Sequence, residues 1–309
     1  MSKYLVTGGA GFIGSNIVEE LIHRGEQVRV LDNFSTGKRH NIESFMDAIE
    51  LIEGDIRIYQ IVRQAVEGVD YVLHQAALPS IQRSISDPIA TNEVNVIGTL
   101  NLLRASRDAR VKRVVFASSS SIYGETPELP KHEKMALAPS SPYSVSKLAA
   151  EKYCYAFTKI YGLETIALRY FNVFGPRQDP ASQYSAVMPK FITAMLNDRR
   201  PTIYGDGGQS RDFTFVSNVA DCNILAATRP GVSGIAVNCG CHEQITLNYL
   251  VERINDILGK KIKPEYAAPR TGDIKHSFAA IEAAKECLGY EPKVLFEEGL
   301  QMTINWYNK

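Results

Sequence analysis

Thr7-Gly8-Gly9-Ala10-Gly11-Phe12-Ile13-Gly14 lies between an apolar run at residues 4–7 and an amphipathic stretch at 12–24. A strand therefore turns directly into a helix at this point. Glycines at 8, 11 and 14 give a G-x-x-G-x-x-G spacing. Glycine suits it because the turn is tight and a bound pyrophosphate must approach the backbone closely. The N-terminus of the following helix then offers N–H groups and the positive end of a dipole to that anion. Many glycine-rich turns only join a strand to a helix, but the strand–turn–helix setting marks this one as a variant dinucleotide fingerprint.

The same alternation continues outward. Runs at 27–31, 71–74, 113–118 and 165–169 are apolar with little polar alternation, as in strands covered by helices on both faces. Helical patterns occupy 59–66, 89–106 and 142–161. The fold class is α/β, a Rossmann-type doubly wound parallel sheet. Ser141 suits the cap of the last helix, Pro142 its first position and Gly162 the left-handed residue beyond its end. After about residue 175 the rhythm breaks at Pro176, Pro180, Pro189, Pro201 and Gly205-Asp206-Gly207-Gly208. An NAD-binding domain is expected over 1–175, with segments near 213–242 crossing back to it. A smaller α/β substrate domain is expected over 176–309.

The 309 residues carry 34 Lys+Arg and 34 Asp+Glu, a formal charge of zero, so no basic excess points to a nucleic acid. No segment reaches the roughly 18 uninterrupted apolar residues of a membrane helix. Met1-Ser2-Lys3 runs straight into the first strand and leaves no room for a signal peptide. Five cysteines without Cys-x-x-Cys pairs read as reduced thiols of a cytoplasmic protein, and six histidines without paired ligand spacing argue against a metal. His74 ends a strand and reads as a core or rim residue.

The run at 27–31 leads into Asp32. A carboxylate about 20 positions beyond the glycines accepts hydrogen bonds from an adenosine ribose and repels a 2′-phosphate, which favours NAD over NADP. Asp–Asn pairs also make turns, so the glycines, the acid and its position carry the assignment together. Asp55, after a third strand, reads either as an adenine-side contact or as a cap for a helix over 56–65.

Tyr143 and Lys147 lie four apart, on one face of the helix over 142–161. A Tyr hydroxyl titrates near 10, so a competent base at neutral pH needs about 4 kcal/mol of help. A Lys ammonium at about 5 Å, in an effective dielectric of about 20, supplies up to about 3 kcal/mol, and a positive nicotinamide the rest. Tyr155 and Lys159 repeat the spacing but lie about 18 Å further along the axis, so Tyr155 reads as packing. Ser118-Ser119-Ser120-Ser121 brings hydroxyls to the rim where ligands of parallel sheets bind. One serine there can donate to a substrate oxygen while Tyr143 takes its proton, and at least two of the four read as a polar turn.

Gly8-x-x-Gly11-x-x-Gly14, Asp32-Asn33, His74-Gln75-Ala76-Ala77, Ser119, Tyr143-x-x-x-Lys147 and Arg169-Tyr170-Phe171-Asn172 resemble the extended short-chain dehydrogenase/reductase family. Within it the chain is similar, from residue 3 to about 300, to the UDP-hexose 4-epimerases. The resemblance implies tightly held NAD⁺, with Tyr143 abstracting the 4-hydroxyl proton, Lys147 holding the nicotinamide ribose and lowering the Tyr pKa, and Ser119 as the catalytic Ser/Thr. It implies cofactor contacts at Gly8, Gly11, Phe12, Ile13, Gly14, Asp32, Asn33, Ser35, Thr36, Gly37, Asp55, Ile56, Gln75, Ala76, Ala77, Asn95, Ser118, Tyr143, Lys147, Tyr170 and Val173. Substrate contacts are implied at Ser80, Ser119, Ser120, Tyr143, Asn172, Ala186, Val187, Lys190, Thr202, Tyr204, Arg211, Arg270, Asp273 and Ser277. Of these, Asn172, Arg211 and Arg270 would meet the diphosphate and Asp273 a ribose.

Family dehydratases carry an Asp-Glu pair after the catalytic Ser/Thr, where this chain has Ser120-Ser121, which argues against dehydration. A UDP-glucuronate 4-epimerase is the alternative reading. A catalytically silent NAD-binding regulator would lack the Tyr or the Lys, and both are present. The small Ser277, with Pro180, Tyr184 and Ala186, resembles the subgroup accepting N-acetylated sugars, so UDP-GlcNAc/UDP-GalNAc is the expected substrate pair, alongside UDP-Glc/UDP-Gal. The resemblance also implies a homodimer through helices like 89–106 and 142–161.

Overall fold

The computed structural model describes residues 1–180, 187–269 and 275–308. β1 (Lys3–Thr7), β2 (Gln27–Asp32), β3 (Ile49–Glu53), β4 (Tyr71–His74), β5 (Arg113–Ser119) and β6 (Glu164–Tyr170) lie parallel in one sheet, completed by the strand Ile235–Cys239 beside β6. The spatial order is 235–239, β6, β5, β4, β1, β2, β3. This is the doubly wound sheet expected from the alternating pattern. Chain order reverses between β1 and β4, and ligands of such sheets bind at that switch point, outside the carboxyl ends of the strands.

Successive side chains of a strand point to opposite faces, and the two cores follow from that. Tyr4 and Val6 join Ile17, Val18, Leu21 and Val219 on one face. Leu5 joins Val62, Leu102, Leu103, Ala150 and Cys154 on the other. β3 alternates between half-buried and exposed because it is the edge strand, which weakens its apolar signal in the sequence. The helix Val216–Thr228 packs on the first face against the helix Phe12–His23. A third core, including Phe174, Phe191, Phe213, Phe215 and Phe296, lies in the C-terminal part.

The helix Pro142–Tyr161 has the limits and caps the sequence predicts: the Ser141 side chain accepts from Ser144 N–H, Pro142 opens it, and Gly162 is left-handed. The helix expected over 89–106 is divided into Pro88–Asn92, a π turn Glu93–Ile97 and Gly98–Asp108. Such turns cluster at functional sites, and this one carries Asn95.

Glu151 and Arg169 form an ion pair at 2.7 Å, with both side chains about 5% exposed. Ser118 Oγ donates to Glu151 at 2.7 Å, and Arg169 Nη1 donates to Tyr123 Oη at 2.8 Å. The pair ties the helix Pro142–Tyr161 to β5 and β6 and leaves none of its members unpartnered. Arg169→Met strands the Glu151 carboxylate in the core and should cost about 3–5 kcal/mol in denaturant unfolding. Adding Glu151→Leu should recover most of that loss.

Candidate active site

A cleft of about 920 Å³ opens over the carboxyl ends of the strands. Its floor is the glycine-rich turn. Gly8 has φ +69°, and a Cβ there would lie 2.7 Å from Ala76 N; a Cβ on Gly14 would lie 2.1 Å from Gly8 O. These two glycines are required by the turn's own packing. A Cβ on Gly11 would meet only Gly8 O, at 3.1 Å, so its absence leaves space for a ligand. Gly11 also starts the helix Phe12–His23 without a side-chain cap, and Gly11, Phe12 and Ile13 line the cleft. An uncapped helix N-terminus beside such a hollow fits the pyrophosphate of a dinucleotide.

Asp32 ends β2 nearly buried, accepting from Ala10 N at 2.9 Å and Phe34 N at 2.8 Å. Burial pushes its pKa above the ordinary carboxylate value, while the two N–H groups pull the other way. The backbone contacts aim its carboxylate at the cleft, where it can accept from ribose hydroxyls. Asp55 also lines the cleft, bound by Arg57 and Asn33, and hydrogen bonds from Arg57 hold its pKa down at about 2. It is not a helix cap, because the helix Tyr59–Val66 is capped at Ile58. Asn33, Ser35, Thr36, Gly37, Ile56, Gln75, Ala76, Ala77, Ser118, Tyr170 and Val173 all line the same cleft.

Asn95 does not line it. The Asn95 amide accepts from Leu78 N at 2.8 Å and donates to Leu78 O and Ser146 Oγ, so it shapes the loop that does. His74 is buried in the core between Thr7 and Thr99, at 2.6 and 3.0 Å, and burial lowers its pKa to about 3. Lys38, Asn41, Arg83, Arg177, Gln178 and Asp179 line the cleft and were not anticipated. They come from loops and short helical turns without a motif, and Lys38 meets Asp179, 2.5 Å away, only through tertiary contact.

At the far end of the cleft Tyr143, Lys147, Ser119, Ser120 and Ser121 come together. Ser118 is spent on Glu151, and Ser121 Oγ donates to Ser119 Oγ at 2.9 Å, which leaves Ser119 beside the Tyr143 phenol. Lys147 is buried, donates to Ala117 O at 2.8 Å, and burial lowers its pKa to about 8. Tyr143 stands four residues before Lys147 on the helix Pro142–Tyr161. Burial raises the phenol, and only the neighbouring Ser119 pulls it down. The hydrogen bond to the Ala117 carbonyl fixes the Lys147 ammonium without removing its charge. Tyr155, expected as packing, is exposed.

A second pocket of about 270 Å³ shares Asn172, Val173 and Arg211 with the cleft and adds Val187, Thr202, Tyr204 and Phe213. Asn172 has φ +27°, a strained conformation for a residue with a side chain, held at the junction of the two pockets. Ser277 pairs in register with Arg211 and lines the cleft with it. Lys190, expected to touch the substrate, is exposed on the helix Val187–Leu196 and lines neither pocket. Ala186, Arg270 and Asp273, like Tyr184, lie outside the described residues.

A dinucleotide cleft whose catalytic end holds a Tyr–Lys pair and a serine defines an enzyme that moves a proton at a hydroxyl beside a nicotinamide. Over residues 4–240 the chain matches the NAD dependent epimerase/dehydratase family, and it belongs to that family. The UDP-N-acetylglucosamine 4-epimerase of Methanobrevibacter ruminantium, solved with UDP-N-acetylmuramic acid, is 41% identical at a TM-score of 0.95 over 99% of this chain and 98% of that one. The Thermus thermophilus UDP-glucose 4-epimerase, solved with NAD, is 38% identical at a TM-score of 0.89 over 99% of both chains. The UDP-glucose 4-epimerase of Mycolicibacterium smegmatis is 36% identical over 99% of this chain and 98% of its own. The cofactor is NAD, and the glycine-rich turn, Asp32, Tyr143 and Lys147 line one cleft.

Tyr143→Phe deletes one oxygen and leaves the ring. Turnover should fall about 10²- to 10⁴-fold while NAD released by acid from the purified protein stays at the wild-type amount.

Proposed function

We propose that the protein inverts C4 of UDP-sugars, acting on UDP-GlcNAc/UDP-GalNAc and also on UDP-Glc/UDP-Gal. The observation that carries this is the junction of two pockets. Tyr143 and Ser119 stand at the closed end of the dinucleotide cleft, and Arg211 and Asn172 stand where that cleft meets a pocket of a size to take a uracil.

Bound NAD⁺ supplies a hydride acceptor and a positive ring at the catalytic end. The Tyr143 phenolate accepts the proton of the 4-hydroxyl as C4 is oxidised and returns it to the new alcohol. Ser119 donates to the same sugar oxygen and keeps it within reach of Tyr143. Lys147, fixed by Ala117 O, keeps an ammonium in the cleft beside Tyr143 and would hold the nicotinamide ribose. The carboxylate that dehydration needs after Ser119 has no counterpart, since Ser120 and Ser121 occupy that rim.

Arg211 offers the charge for a diphosphate. Ser277, in register beside it, is small enough to leave room for a 2-acetamido group. Ile89, Ile97, Val145 and Tyr153 are large apolar side chains exposed on neighbouring helices, and they support a homodimer formed there. A cytoplasmic location agrees with cysteines that are all free.

The purified protein, given UDP-GlcNAc, UDP-GalNAc, UDP-Glc, UDP-Gal and UDP-glucuronate without added cofactor, should interconvert the first four as pairs, read by NMR. Conversion of UDP-glucuronate alone would overturn the reading. Ser277→Tyr should lower kcat/KM for the acetylated pair by about tenfold or more and spare the other pair; equal loss on both would show that Ser277 does not gate the sugar.

A further inference from the structure

Asp212 has no exposed surface, and every polar atom it owns is engaged. Its N–H donates to Ser277 O at 2.9 Å, and its C=O accepts from Asn172 Nδ2 at 3.3 Å. Oδ1 accepts from Cys241 N at 2.9 Å, and Oδ2 accepts from His242 N and Ala279 N, both at 3.0 Å. Its preceding neighbour is Arg211. Three residues that face the substrate, Asn172, Arg211 and Ser277, are thus each one bond from this aspartate. A Cβ on Gly240 would come within 2.9 Å of Oδ2, so the backbone closes tightly around the carboxylate.

We infer that Asp212 is a positioning residue for the sugar-diphosphate end of the site, pinning the Ser277–Ala279 segment to Arg211 and Asn172. It does not touch substrate. It acts by holding two points of that segment, the carbonyl of Ser277 and the N–H of Ala279, so that the Ser277 side chain has one orientation. The sheet pairing of this region is short, Ser210–Arg211 against His276–Ser277 on one side and Ile245–Thr246 on the other, and provides little register by itself. The carboxylate supplies what the short strands do not. The inference rests on the nucleotide-sugar reading above.

A carboxylate accepting three N–H bonds serves them best when ionised, because protonation places a donor on one oxygen and takes up one of its accepting lone pairs. Burial raises the Asp212 pKa to about 6, against the three backbone hydrogen bonds, with Glu243 raising it further. The other titratable groups around it are Cys239, Cys241 and Tyr290, themselves raised by burial, with His242, whose ring meets Ala279 O, and Arg211, whose guanidinium donates to Ser210 O. Below about pH 6 the clamp therefore loses an acceptor, and above it the clamp is intact.

Asp212→Asn keeps the volume but faces Cys241, His242 and Ala279 with one acceptor oxygen and an amide. At about pH 8 the variant should retain its NAD and a kcat within about threefold of wild type while KM for the UDP-sugar rises about tenfold. The wild-type KM should rise as pH falls through about 6, and the variant should lack that limb. An unchanged KM, or loss of kcat alone, overturns the inference. If the variant does not fold, the wild-type profile decides: a KM flat across pH 6 overturns it. Calorimetric titration of wild type with UDP keeps the two readings apart, since failure to bind UDP removes the nucleotide-sugar reading itself. Should wild type bind UDP but turn over none of the sugars, the dissociation constant for UDP-glucose replaces KM in both comparisons.

Discussion

A half-buried phenol ionises less readily unless fixed charges replace the lost solvent, and this requirement organises the catalytic end of the cleft. Tyr143 stands above its ordinary pKa, Lys147 is tied to Ala117 O, and the adjacent serine provides only a dipole. Burial thus holds the phenol toward its neutral form. That suits an enzyme whose oxidant carries a further positive charge, because the base becomes competent where hydride transfer can follow. The same burial lowers Lys147 to about 8, which still leaves it cationic at neutral pH.

Around that point the rigid parts and the adjustable parts divide cleanly. The Glu151–Arg169–Tyr123 network and the caps of the helix Pro142–Tyr161 fix Tyr143, Lys147 and Ser119 relative to β5 and β6. The sugar side rests on two-residue strands and a buried carboxylate. Ser277 and its neighbours can therefore differ without disturbing the proton-transfer geometry, as expected where one chemistry serves several sugars.

Much of the site was legible because it is local. Gly8, Gly11 and Gly14 follow from one turn, Asp32 from the end of the next strand, and Tyr143 with Lys147 from one helical repeat. Each is a short-range pattern with a mechanism. Asn95 and His74 show where such reading stops. Asn95, implied as a cofactor contact, braces a loop, and of the two readings open for His74 the structure takes the core one, a group held by two threonines. Lys190 came from the resemblance alone, and here it is exposed on the helix Val187–Leu196. Asp212 carries no signal at all, since a carboxylate that receives backbone N–H groups from positions 241, 242 and 279 looks in sequence like any turn aspartate.

By itself the sequence determined the doubly wound sheet, the dinucleotide turn and the Tyr143–Lys147 pair on one helix, because periodicity and spacing act over a few residues. Tertiary structure alone decided the charge state of those residues and the company they keep. The pKa of Tyr143 depends on burial contributed by many segments, and the substrate side is assembled from residues about 40 to 100 positions apart. Desolvation and long-range hydrogen bonding are properties of the packed chain, and no local pattern encodes them.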